Sequence, residues 1–226
     1  MTDIPAIMLA NGWTHGAALM LRWLSNPVVG LVLSEVDTTT ITMEWVLRFD
    51  RAKKVYDEMF RDKIYMNNKA IEQMGREIKK KESKFGNLDL PIEQLHEYHI
   101  NHREVGSNWD PTDDLKAALG RFSFYIAVGG TVSCFQEEIT VTIIDVGVYV
   151  RDSYDFEDLS GFLSQALGYW KKETNYGGSN WFKGSAVRNK DFRNYREKTG
   201  VGRDFMVFSD LKKTHLPAPV KVKVPK

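Results

Sequence analysis

Residues 122–156 read FSFYIAVGGTVSCFQEEITVTIIDVGVYVRDSYDF, and this stretch decides the fold. Phe122, Phe124, Ile126 and Val128 alternate with smaller or polar neighbours at period two, the signature of a strand with one buried face. Gly129-Gly130 has the composition of a two-residue hairpin turn, and Val132 and Cys134 continue the alternation. Ile139 to Val150 is a long β-branched run. Its apolar positions pass from 139, 141 and 143 to 144, 146, 148 and 150. A side-chain period of two cannot change parity without an extra residue, so this run predicts a β-bulge or a strand buried on both faces.

Upstream the periodicity changes to that of helices. Met8, Leu9, Trp13, Ala17, Met20, Leu21 and Leu24 recur at spacings of three and four, giving helix in two pieces between Asp3 and Asn26, with Asn26-Pro27 as the stop. Val28 to Val36 is an apolar run suited to a strand or buried linker. Thr38 to Thr42 offers N-caps. From there to Lys84 one long helix or two stacked ones are expected. Trp45, Phe49, Ala52, Tyr56, Met59 and Phe60 form one stripe. Ile64, Ala70, Ile71, Met74 and Ile78 continue it after a shift near Tyr65 to Asn68. Lys79-Lys80-Lys81 and Gly86 suit the C-terminal turn and C′ position. Downstream, Asp110-Pro111-Thr112 opens a short helix to Leu119. Residues 157–167 read as partly helical, Thr174 to Ser185 as a loop, Asn189 to Lys198 as a helix stopped by Gly200, and Arg203 to Phe208 as the last strand. Helices first and strands after argue α+β, a helical N-terminal region packed on a mainly antiparallel β-rich one. The expected boundaries are 1–86, 87–216 and an extended basic tail at 217–226.

Composition narrows the function classes. Thirty-one Lys and Arg balance 30 Asp and Glu, so no global field draws in nucleic acid. The single cysteine, Cys134, excludes an intrachain disulfide and reads as a small buried hydrophobe. Residues 1–11 hold Asp3 and Pro5 without a basic n-region, so no secretory signal is expected there. No run of about 18 apolar residues occurs, so no transmembrane helix is expected.

Three groups of residues bear on chemistry. His96, His99 and His102 lie three apart, one short of the His-Glu-x-x-His spacing that puts two rings on one helix face. On a strand His99 faces away from the other two. They read as surface and turn histidines. Arg151-Asp152-Ser153-Tyr154-Asp155-Phe156 follows the strongest strand. Asp152 and Asp155 suit Mg²⁺ and general-base work, Tyr154 is a third catalytic candidate, and Arg151 matches an anionic oxygen. The packing alternative makes Asp152 and Ser153 turn formers and Tyr154 and Phe156 core anchors. Arg203-Asp204 and Ser209-Asp210, with Asp191, Arg193 and Arg196, either face that cluster, Arg203 then binding substrate, or are solvated charges. Trp170, Tyr176 and Trp181 suggest a groove around the glycines at 177, 178 and 184. Phosphate-binding loops and the Gly-x-Ser-x-Gly elbow are absent from the sequence.

Several segments together are familiar: Asp3-Ile4-Pro5-Ala6 with Gly12-Trp13, Leu95-His96-Glu97 with Val105-Gly106-Ser107, Leu119-Gly120-Arg121-Phe122, Val146-Gly147-Val148-Tyr149, Leu167-Gly168-Tyr169-Trp170, Asn189-Lys190-Asp191-Phe192-Arg193, and Gly202 to Leu211. The series resembles a proteobacterial family of unknown function encoded beside spike and effector genes of type VI secretion systems. That resemblance implies manufacture in the cytoplasm and delivery to a target-cell periplasm. The implied partners are a type VI spike or adaptor protein and a cognate immunity or effector protein. The β-rich part, through Asp152-x-Tyr154-Asp155, is similar to the motif of colicin M-like bacteriocins, Mg²⁺-dependent enzymes that cleave the lipid II peptidoglycan precursor. Their motif continues with His-Arg, where this chain has Gly161-Phe162-Leu163. The resemblance therefore implies an antibacterial effector acting in the cell envelope. A non-enzymatic immunity protein, adaptor or chaperone is the alternative, and a membrane-active hairpin from residues 42–84 a third.

Overall fold

The computed structural model describes residues 1–29, 35–80, 84–107, 109–136, 138–157 and 166–224. In chain order the helices are α1 (Ile4–Ala10), α2 (Thr14–Ser25), α3 (Met43–Val46), α4 (Asp50–Arg61), α5 (Asn68–Lys80), α6 (Ile92–Leu95), α7 (Asp114–Leu119) and α8 (Asn189–Thr199). The strands are β1 (Val36–Asp37), β2 (Asn101–Val105), β3 (Phe122–Phe135), β4 (Glu138–Tyr154), β5 (Ala166–Lys171), β6 (Tyr176–Gly178), β7 (Ser185–Arg188), β8 (Phe205–Phe208) and β9 (Lys212–Val224). The fold is α+β: β1 pairs with β8 in parallel, while β2 with β3, β3 with β4, β4 with β9, and β5 with both β6 and β7 pair antiparallel. The chain groups into two interleaved units: residues 1–40, 106–121 and 152–207 form the first, and 41–105, 122–151 and 208–226 the second.

The second unit is built on an antiparallel sheet in the order β2-β3-β4-β9. The parity change in β4 is a bulge. Gly129 pairs with Asp145 and Gly130 with Ile143, which leaves Ile144 as the extra residue. The buried positions accordingly move from Ile139, Val141 and Ile143 to Val146, Val148 and Val150. Gly129-Gly130 is therefore not the hairpin turn. β3 runs through it to Phe135, and Gln136 beyond it takes φ 52°. Gly130 is required at the bulge: a Cβ there would lie 1.9 Å from the Thr142 carbonyl oxygen.

Three helices occupy the span expected to hold one or two. The Thr42 hydroxyl accepts from the Trp45 N–H and starts α3. α4 buries Ala52, Tyr56 and Met59, and α5 buries Ala70, Met74 and Ile78. The stripe shift near Tyr65 is the break between α4 and α5, where Lys63 takes φ 47°. Buried Asn101 on β2 fastens this break to the sheet by donating to the Ile64 carbonyl at 2.8 Å and to Asn67 Oδ1 at 3.2 Å. α5 is described to Lys80, and the expected C-terminal turn before Gly86 lies partly outside the described residues; Gly86 accepts from the Gly130 N–H beside β3. Arg203 to Phe208 is not the last strand. The proline-bearing tail forms β9 along β4, with Pro217 and Pro219 tolerated because the strand is an edge.

In the first unit, Gly12 at φ 76° turns α1 into α2. Asp114 on α7 accepts from the His15 and Gly16 N–H groups, both at 3.0 Å, and from His15 Nδ1 at 2.8 Å, which satisfies donors that the start of α2 leaves open. α7 starts at Asp114 rather than at the Asp110-Pro111 step, with Asp113 as its cap, accepting from the Lys116 N–H. Trp23 is the centre of the core. Phe156 and Phe192 stack on one another at 3.8 Å, and both meet Trp23 edge-on. Its indole N–H donates to Asp204 at 2.8 Å. β5 pairs with β6 and β7, so the expected loop 174–185 contains a strand. The apolar run 28–36 and the partly helical reading of 157–167 fall largely outside the described residues.

Candidate functional site

The motif expected to carry chemistry does not lie on a loop. β4 continues through Tyr154, so Arg151, Asp152 and Ser153 are strand residues. Tyr154 is buried, stacks on Phe205 at 5.2 Å and meets Phe156 edge-on at 5.6 Å. Burial, with a smaller contribution from the Asp152 charge, drives its phenol well above the ordinary tyrosine range. That is the wrong direction for a group that must release a proton at neutral pH. Asp155 is exposed and accepts from the Glu157 N–H at 3.2 Å, a local turn bond. Among the described residues, no group of three or more His, Cys, Asp or Glu side chains is placed to hold a metal.

The second expected group works in packing. Arg203 pairs with Glu35, and Arg196 pairs with Asp204 while its guanidinium lies 5.4 Å from the Trp23 ring centre. Arg193 donates to the Phe156 carbonyl at 2.7 Å, and Asp191 accepts from the Arg188 N–H. In the other unit, Asp210 accepts from the Met43 N–H, and buried Ser209 accepts from the Val150 N–H at 2.8 Å. These are committed polar groups rather than solvated charges. Cys134 is likewise not buried but exposed. Trp170 packs edge-on to Trp13 at 6.2 Å and lies over Gly177. Beside it Lys172, Phe182 and Lys183 line a shallow depression of about 440 Å³, while the Trp181 side chain lies outside the described set.

The histidines converge where sequence spacing separated them, because they sit on three kinds of backbone. His96 starts a 3-10 turn, His99 follows it in extended conformation, and His102 is on β2 opposite Tyr125. The His96 and His99 rings stack at 4.7 Å and 5°, Tyr125 meets both edge-on, and Tyr125 stacks on Tyr149. The Tyr149 hydroxyl, kept protonated by burial and by the nearby Tyr125, donates to His96 Nδ1 at 2.8 Å. His99 Nδ1–H donates to the His96 carbonyl at 2.8 Å. Burial, then His99 and Arg151, pull His96 down to about 3, and burial with Lys69 also lowers His102. His96 and Tyr149 are thus both uncharged near neutral pH.

The first unit carries a different feature that sequence reading missed. Trp109 is 95% exposed. The described residues around it are hydrogen-bonded to one another. The Ser107 N–H donates to Asp110 Oδ2 at 2.8 Å, the Trp109 N–H donates to Ser107 Oγ at 3.1 Å, and Lys116 Nζ donates to the Asp110 carbonyl at 2.7 Å. Gly106 at φ 95° sets its start. A side chain that gains about 4–6 kcal/mol on full burial thus stands in water beside a hydrogen-bonded backbone. Val29 and Phe182 of the same unit are 86% and 78% exposed.

Comparison with known families matches the chain to a family of unknown function (DUF6402) over residues 1–177 and 179–224. The chain belongs to this family. Neither the curated proteins nor the solved structures contain a significant match. Among the described residues, no helix is long and apolar enough to cross a membrane.

Proposed function

We propose that this DUF6402 protein is a non-enzymatic binding partner, serving as an immunity protein, adaptor or chaperone of a type VI secretion effector. The observation that carries the binding role is Trp109, a fully presented indole on a hydrogen-bonded loop. Binding energy concentrates in a few buried aromatic anchors, and a preorganised anchor loses little conformational freedom when it docks. The surface that matches such an indole is an apolar pocket. The type VI context rests on the segment resemblance described above.

The burial of Tyr154 supports the same reading, since the Asp-x-Tyr-Asp motif anchors the corner after β4. The competing reading is an envelope-acting effector. It retains Arg151 and Asp152, half-exposed at the end of β4, and exposed Asp155. Co-expression with the product of the adjacent effector gene tests the proposal. Co-elution of the two proteins is expected, with Trp109→Ala weakening the complex at least tenfold while leaving the fold intact. A complex of unchanged affinity in that variant, or no complex, overturns it.

A further inference from the structure

The two outer edges of the second unit's sheet differ. β9 carries Pro217, Pro219, Lys221 and Lys223, the residues that natural sheets place on an edge to block pairing. Among the described residues, β3 is covered by β2 over Phe122–Ile126, and Gly86 meets it at Gly130. Beyond that point Thr131-Val132-Ser133-Cys134-Phe135 contains no proline and no charge. Cys134 is exposed, and Phe135 is 75% exposed.

The direction of the free backbone groups follows from the ladder. The Ile126 carbonyl accepts from the Ile100 N–H, and the Gly130 N–H donates to Gly86, so both point away from β4. Alternation then directs the N–H and C=O of Val132 and Cys134 outward as well. The same two residues end the apolar rows that cross the sheet. Val222, Val141 and Val132 form one row, and Val224, Ile139 and Cys134 form the next. Each row is buried on β9 and β4 and comes into the open at β3.

We propose that this edge pairs with the same edge of a second copy, antiparallel about Ser133. Val132 of each copy then exchanges two hydrogen bonds with Cys134 of the other, giving four in all. The row Val222-Val141-Val132 continues into Cys134-Ile139-Val224 of the partner copy, and the second row continues likewise. On the opposite face Phe135 stands across from Thr131, an aromatic and β-branched pair that favours a ladder. No charge opposes its like anywhere along the segment. The edge is self-complementary in hydrogen bonding, in its apolar rows and in shape, which is what a two-fold interface demands.

The test is the mass of the full chain by sedimentation equilibrium across concentration. The expected result is a concentration-dependent rise from 26.0 kDa toward twice that value. Cys134→Pro removes only an outward N–H and should hold the protein at the monomer mass with an unchanged circular-dichroism spectrum. Val132→Lys, which guards the edge by charge without touching the backbone, should do the same. The register is tested with Ser133→Cys combined with Cys134→Ser. Ser133 faces itself across a non-hydrogen-bonded pair about 4.5 Å wide, within disulfide reach. Cys134 lies about 8 Å from its equivalent across the diagonal, which is too far. Mild oxidation should therefore cross-link the double variant and leave the wild type uncross-linked. A monomer at every concentration up to about 1 mM, a dimer that survives both edge variants, or cross-linking of the wild type alone overturns the proposal.

Discussion

Replacing Tyr154 separates packing from chemistry at the motif most suggestive of catalysis. The ring is buried between Phe205 and Phe156, and truncating an aromatic side chain in such a place costs about 3–5 kcal/mol. In a chain of this length each kcal/mol moves Tm by about 2–4 °C, so Tyr154→Ala should lower Tm by roughly 6–20 °C. Tyr154→Phe keeps the ring and both aromatic contacts and removes only the hydroxyl, so it should cost about 1 kcal/mol or less. Differential scanning calorimetry of the three proteins measures both shifts, and complex formation with the effector should survive in the Phe variant. A Phe variant as unstable as the Ala variant would refute the packing argument. A stable Phe variant that loses all function would show that the hydroxyl, and hence chemistry, matters.

Four further outcomes follow from the structure. His96 has a folded pKa of about 3 against 6.5 for the free side chain, so the unfolded chain takes up the proton first and stability falls as pH drops from 6.5 toward 3. His96→Asn removes this contribution, so its unfolding midpoint should fall less over that window than the wild type's; a parallel fall would contradict the burial of His96. Ser209→Ala strands the Val150 N–H and should cost about 1–3 kcal/mol in urea unfolding. Gly130→Ala puts a methyl into the Thr142 carbonyl and should cost about 2–4 kcal/mol. Gly200→Ala meets nothing within 4 Å and carries only the left-handed φ, about 1–2 kcal/mol, so the order of these two glycine variants checks the bulge geometry.

Much of the fold was legible because it is written in periodicity. The parity change between Ile143 and Ile144 gave the bulge, Thr42 and Gly200 marked helix ends, and the stripe shift near Tyr65 located a helix break. Errors arose where one residue type has two structural uses. Gly129-Gly130 suits a turn and also a bulge that brings strand backbones together. Pro217 and Pro219 suit a tail and also an edge strand. The interleaving of the two units had no local signal, since it depends on pairings distant in sequence. The histidines were misjudged because spacing arguments assume one regular element. A turn followed by a strand brings His96 and His99 face to face and sets His102 against Tyr125. The exposure of Trp109 was invisible for a related reason: an aromatic side chain reads as core until the bonds that hold it outward are seen. At the Asp152 cluster the residue types suggested an active site, while the packing alternative proved right for Tyr154 and Phe156.

Growth of a bacterial host expressing the chain, in the cytoplasm and separately with a periplasmic signal attached, tests the central claim most directly. A binding partner should leave growth unchanged in both compartments and protect the host when the cognate effector is co-expressed. Lysis only with the periplasmic signal, abolished by Asp152→Ala in a protein that still folds, would contradict the binding-partner account and establish an envelope-acting enzyme.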